Sequence, residues 1–138
     1  MKNIFIPILL LFVLLNISCS KESFDEKIVG TWNIVDVDRH GSGSDPGHLP
    51  FREGQFTFSS DGTLIYTKAG VTYNGTWNIQ RKTFGDDSFQ ALEIMVIDFA
   101  TQVVLSEYYD DINFSGGASR MKACIHEGRH SYTTHFRK

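Results

Sequence analysis

Cysteine is scarce in this 138-residue chain: Cys19 and Cys124 are the only two. With Cys19 placed at the end of an apolar leader, Cys124 has no partner, and the fold cannot rest on an internal disulfide. An excess of positive charge is missing as well. Thirteen Lys and Arg face 16 Asp and Glu, a formal charge of −3, and this mildly acidic balance argues against nucleic acid, which would attract a basic patch. No glycine-rich phosphate loop occurs and no serine sits in a nucleophile elbow, which removes two common signatures of enzymatic chemistry. Asp86-Asp87 and Asp110-Asp111 lack the ligand ladder and central glycine of a calcium loop and read as solvated turns. The one long apolar run, Ile4 to Leu15, is broken by Pro7 and falls short of the roughly 20 residues that span a hydrocarbon core.

What is present begins with that leader. Lys2 gives a minimal positive region, the apolar run follows, and Ile17-Ser18 sets a small residue before Cys19, the pattern of a cleaved secretory signal over residues 1–18. Leu15-Asn16-Ile17-Ser18-Cys19 resembles the lipobox of bacterial lipoproteins in a relaxed form, with Asn16 where leucine is usual. The resemblance implies cleavage before Cys19 and acylation there with palmitate-type chains. Each buried methylene would add about 0.8 kcal/mol of membrane affinity. Ser20-Lys21-Glu22 resembles the lysine-acidic signals that carry some lipoproteins to the cell surface. The implied location is the outer membrane, on its periplasmic face or at the surface. Loss of Lys2 with the signal takes the formal charge to −4 and leaves 120 residues, enough for one domain. Residues 19–27 are polar and read as a lipidated tether, with a single folded domain over 28–138.

Within that domain the dominant pattern is alternation. Val71, Tyr73, Gly75, Trp77 and Ile79 fall on one face and Thr72, Asn74, Thr76 and Asn78 on the other, the period of a half-buried strand. Strands are expected near 28–38, 53–59, 63–69, 71–80, 89–98, 102–109, 119–126 and 129–137. Asp61-Gly62 marks a tight hairpin whose two turn residues both take positive φ. About eight antiparallel strands suit a small closed up-and-down barrel, an all-β fold without exposed edges. The Gly-, Ser- and Pro-rich stretch 39–52 is a long loop between the first two strands.

Gly30-Thr31-Trp32 resembles the Gly-X-Trp signature of lipocalins, and Gly75-Thr76-Trp77-Asn78-Ile79 repeats Gly30-Thr31-Trp32-Asn33-Ile34. With the leader and the hairpin Phe56 to Leu64, the chain is similar to the small lipocalin-like lipoproteins of Gram-negative bacteria. That resemblance implies a lipocalin-like barrel in which loop 39–52 covers an open mouth. It also implies that Trp32 plugs the closed end against Arg137. Independently of family, both tryptophans read as core residues, with glycine relieving crowding where the sheet bends.

His126-Glu127-Gly128-Arg129-His130 matches H-E-x-x-H, in which two histidines one helical turn apart bind zinc and the glutamate activates water. Gly128 and the β-prone Ser131-Tyr132-Thr133-Thr134 favour a hairpin instead, with Glu127-Gly128 as its turn and Met121, Ala123 and Ile125 facing inward. On that hairpin the two histidines flank the turn, and His126 and His130 remain only minor metal candidates. The expectation is a membrane-anchored, non-enzymatic binding protein without cofactor, for a small apolar or amphipathic ligand. A barrel filled by its own aromatic side chains would instead serve as an envelope interaction or inhibitor protein, and a zinc hydrolase through His126-Glu127-x-x-His130 is the third reading. No residue is marked as a ligand contact or as catalytic.

Overall fold

The computed structural model describes residues 22–42 and 45–138. The expected signal, the expected acylation site Cys19 and loop residues 43 and 44 lie outside the described residues. Alternating sequence becomes nine antiparallel strands: β1 (Gly30–Gly41), β2 (Gln55–Phe58), β3 (Thr63–Lys68), β4 (Val71–Phe84), β5 (Asp87–Asp98), β6 (Val103–Tyr109), β7 (Asp111–Ser115), β8 (Arg120–Glu127) and β9 (His130–Arg137). They form one sheet in the order β6-β5-β4-β3-β2-β1-β9-β8-β7. Successive strands pair antiparallel except β6 and β7, and β1 also pairs with β9, so the first and last strands of the domain lie side by side within the sheet.

The antiparallel all-β class agrees with the sequence reading, but the expected closure of a barrel ladder is not found. β6 and β7 are the two edges of the sheet, and no pairing joins them. Asp110 alone separates these strands in the chain. Its N–H donates to the Cys124 carbonyl (2.8 Å) and its carboxylate accepts the His126 N–H (2.6 Å). The chain therefore changes partner at this residue, from β5 to β8, in the way strands turn corners between sheets. Asp110-Asp111, read as a solvated turn, is this corner. The sheet is curled enough that Cα atoms of β7 come within 8 Å of β5.

The concave face carries the core. Trp32, Phe56, Phe58, Leu64, Tyr66, Leu92, Ile94, Val96, Tyr109, Ile112, Met121, Ala123, Tyr132 and Phe136 are all buried there. The stretch read as tether is already folded from Ser23 onward. A short helix α1 (Phe24–Ile28) starts with a capping box in which the Ser23 hydroxyl accepts the Glu26 N–H and the Glu26 carboxylate accepts the Ser23 N–H. That reciprocal pair satisfies two otherwise orphaned donors, and it seats Ile28, fully buried, against the core.

Two turns differ in detail from expectation. The β2–β3 connection spans four residues, and only Gly62 has positive φ (83°). Asp61 instead accepts the Thr63 N–H (2.9 Å) and hydroxyl (2.6 Å). On the β8–β9 hairpin Glu127 pairs with His130, which makes Gly128-Arg129 the turn rather than Glu127-Gly128. The inward set is as expected, because Ile125 pairs with Tyr132, Ala123 with Thr134 and Met121 with Phe136.

Candidate functional site

One end of the curled sheet is closed by the loop after β1. This loop is shorter than 39–52, since β1 runs to Gly41. Asp45 caps a single 3-10 turn, Pro46–His48, its carboxylate accepting the Gly47 N–H (2.8 Å). The turn drives Leu49 and Phe51 into the interior. Phe51 meets Phe56 and Tyr66 edge-on at centroid distances of 5.2 and 5.1 Å, and the Tyr66 hydroxyl donates to the Glu53 carbonyl (2.7 Å). Burial pushes the Tyr66 phenol up to about 12. The expected lid is in effect a plug of aromatic side chains.

The H-E-x-x-H pattern falls at this end and is divided by the strand. With a side-chain period of two, His126 and Glu127 point to opposite faces. His126 lies on the convex face, its Nδ1 3.3 Å from Asp110 Oδ2. Glu127 and His130 lie on the concave side, where the His130 Nε2 is 3.1 Å from Glu127 Oε2. The third partner is His48 of the loop, 3.1 Å from Glu127 Oε1 through Nε2 and 3.3 Å from the Asp45 carbonyl through Nδ1. Both His48 ring nitrogens face acceptors, which favours the imidazolium and raises its pKa, chiefly through the hydrogen bond to Glu127. The same bond, with the one from His130, lowers the pKa of Glu127. Tyr132 stands beneath both imidazoles at 5.3 and 5.5 Å, edge-on. Nearby Glu107 is pushed up by desolvation and then by the charge of Glu127. The cluster latches the loop to β8–β9. Among the described residues no three His, Cys, Asp or Glu side chains are disposed to hold a metal.

The opposite end is closed by Trp32. Its indole N–H donates to the Ile28 carbonyl (2.6 Å), and its ring lies 5.8 Å from Phe114, which also packs on Phe24. The cation above Trp32 is Lys138, with Nζ 4.8 Å from the ring and donating to the Lys27 carbonyl (3.0 Å). Arg137, named for this place by the resemblance, sits one residue earlier in β9, opposite Arg120 and Asn33. Strand alternation turns it to the convex face. Trp77 is also in the core, donating to the Ser59 carbonyl (3.0 Å) and meeting Phe58 edge-on. The two glycines of the repeated motif meet different demands. Gly30 has a φ of +123°, whereas a Cβ on Gly75 would collide with the Met95 carbonyl and Val96. Cys124, on the convex face, has its Sγ 3.6 Å from Thr133 Oγ1.

The remaining accessible features are outside the curl. A groove of about 410 Å³ is lined by Asn33, Ile34, Glu53, Gly54, Gln55, Thr67, Lys68 and Ala69, and Lys68 pairs with Glu53 across it at 3.0 Å. The convex face of β3 to β6 is apolar in part: the register sets Ile65, Asn74, Ile97 and Val104 in one row and Thr63, Thr76, Met95 and Ser106 in the next. Ile65, Met95, Val104 and Tyr108 are exposed there, with Phe99 and Val103 at the β5–β6 turn. Sequence reasoning missed His48, Lys138 and this outer strip. The strip had a signal in the unbroken runs Ile94-Met95-Val96-Ile97 and Val103-Val104-Leu105, which place apolar side chains on both faces of a strand. Compared with protein-family models, with curated proteins and with solved structures, the chain matches none.

Proposed function

We propose that the chain is an exported, lipid-anchored protein of lipocalin-like build that works through its outer surface as a non-catalytic interaction module of the cell envelope. The observation that carries this reading is the filling of the concave side. Trp32, Tyr66, Tyr109, Tyr132, Phe51, Phe56, Phe58 and Phe136 are each essentially inaccessible to solvent and occupy the space a carrier would leave for its ligand. Both ends are closed, by Phe51 and the His48–Glu127–His130 latch on one side and by Trp32 and α1 on the other. An eight-strand-sized interior holds either its own side chains or one small ligand, not both. The exposed strip of Ile65, Met95, Val104 and Tyr108 supplies apolar area outside instead. Such patches mark contact sites when they are contiguous. Cys19, by its lipobox-like setting, is the proposed point of attachment to the membrane.

Native mass spectrometry of the whole chain recovered from a Gram-negative host tests this reading. The expected spectrum is one processed chain with covalent acyl mass on Cys19 and no retained apolar molecule. One lipid-like ligand per chain would restore the carrier reading, and one zinc per chain would restore the hydrolase.

A further inference from the structure

Beyond Ile79 and Leu92 the β4–β5 hairpin loses its neighbours. The pairing of β3 with β4 stops at Thr76, that of β6 with β5 stops at Leu92, yet β4 and β5 stay in register to Phe84 and Asp87. Nearly every residue from Gln80 through Phe89 is exposed. Five residues of β4 past Ile79 reach about 17 Å at strand rise. This two-stranded arm carries Phe84, 84% exposed, and Phe89. Lys82 pairs with Phe89 and Phe84 with Asp87, so the two rings are diagonal neighbours on one face with Lys82 and Asp87 beside them, while Asp86 stands in the turn and Arg81 lies on the other face. Isolated hairpins are marginal in water, and an aromatic at the apex of one gains nothing from the fold it projects from.

We propose that this arm dips into the lipid surface to which the chain is anchored, Phe84 and Phe89 entering the boundary between headgroups and acyl chains while Lys82 and Arg81 meet lipid phosphates and Asp86 and Asp87 stay in the hydrated headgroup layer beside its ammonium groups. The inference rests on the acylation of Cys19. Three observations converge on it. First, the arm leaves the body at the end where the chain enters. The Trp77 N–H donates to the Gly62 carbonyl (3.0 Å) at the base of the arm, in the loop 59–62, and Ser60 of that loop lines a groove with Asp25, Glu26 and Val29 of the α1 region. Second, only three peptide units separate Cys19 from Glu22, a contour of at most about 11 Å, so this end is held close to the bilayer by the anchor. Third, the area suits lipid better than protein. Two phenyl side chains bury at most about 300–500 Å², below the ~800 Å² per partner of a stable protein interface. A tethered contact needs little intrinsic affinity, because the tether fixes its local concentration.

The test uses the whole chain, purified from a Gram-negative host and reconstituted into phosphatidylethanolamine/phosphatidylglycerol vesicles with or without brominated acyl chains. Phe84→Trp adds an exposed fluorophore to two buried tryptophans, and the exposed position leaves the fold intact. Bromolipid is expected to quench the added emission roughly twofold, as contact at the acyl boundary requires, and the emission of the introduced indole is expected to shift to the blue on vesicle binding. Adding Phe89→Ser and Lys82→Ser should weaken both effects. An acylated chain whose introduced indole stays unquenched overturns the arm and leaves the anchor standing, whereas a chain without acyl mass overturns both. A blue shift that follows protein concentration without lipid assigns the arm to a second copy, one that needs an envelope extract assigns it to a protein, and either result overturns the proposal.

Discussion

Gly75 shows how one residue sets the distance between neighbouring strands. β4 and β5 approach so closely there that any Cβ would run into the Met95 carbonyl and the Val96 side chain, both held by the ladder. Gly75→Ala is therefore expected to destabilise the fold by about 3 kcal/mol or more, the upper range for overpacking, with urea unfolding as the readout. A loss below about 1 kcal/mol, the low end of that range, would mean that the strands part easily. Tyr109 and Thr134 give the opposite case. Their hydroxyls are buried and approach each other without completing a hydrogen bond, and burial raises the Tyr109 phenol far above its ordinary value. An unsatisfied buried hydroxyl costs on the order of 1–3 kcal/mol, while replacing both partners by apolar groups of like shape is neutral or better. The double variant Tyr109→Phe, Thr134→Val is expected to gain about 1 kcal/mol in the same assay, and a clear loss would show that the pair is satisfied in solution.

Among the elements, the loop bearing His48 responds most directly to pH. The folded-state pKa of His48 lies above its ordinary 6.5, first because it donates to Glu127. Its contribution is complete below the unfolded value and is lost as pH rises through the raised one. Glu127 is lowered, chiefly by His48 and then by His130, so its share is present above the usual glutamate range and lost as pH falls through the lowered value. The latch should hold between these limits and loosen on the alkaline side. Nuclear magnetic resonance should place the His48 titration midpoint above 6.5, and amide exchange at Leu49, which donates to Pro46, should show opening that grows with pH beyond the chemical rate. His48→Gln should remove that added dependence; persistence would assign the opening elsewhere. The sequence made the strands legible because their alternation is local, but such a latch joins residues 79 positions apart, and no local period reports it. β7 escaped notice because Asp110-Asp111 resembles a turn and only Ile112 and Phe114 follow with inward period. The helix α1 was readable in Ser23-Phe24-Asp25-Glu26, whose serine and glutamate spacing is the capping-box pattern. The β8–β9 turn slipped by one residue, although the inward pairing of Ile125 with Tyr132 already fixes Gly128-Arg129 at the bend.

At the scale of the whole molecule the question is whether the concave space is occupied or merely collapsed in the absence of a ligand. Phe56 sits where these alternatives separate. It is fully buried, stacked on Tyr66 at 4.6 Å and on Phe58 at 5.8 Å, and meets Phe51 and Phe136 edge-on. A space filled by rigid rings cannot close over the void left by one of them, and Phe→Ala in such a setting costs about 3–5 kcal/mol. Apolar voids of this kind stay dry and accept small apolar molecules. Phe56→Ala is therefore expected to lose stability by that amount and to regain part of it with benzene or a similar ring, read as a rise in unfolding temperature with ligand concentration. The parent chain should show no such rise. If the parent is itself stabilised by apolar molecules, the aromatic interior opens to admit cargo, and the outer surface loses its claim to be where this protein works.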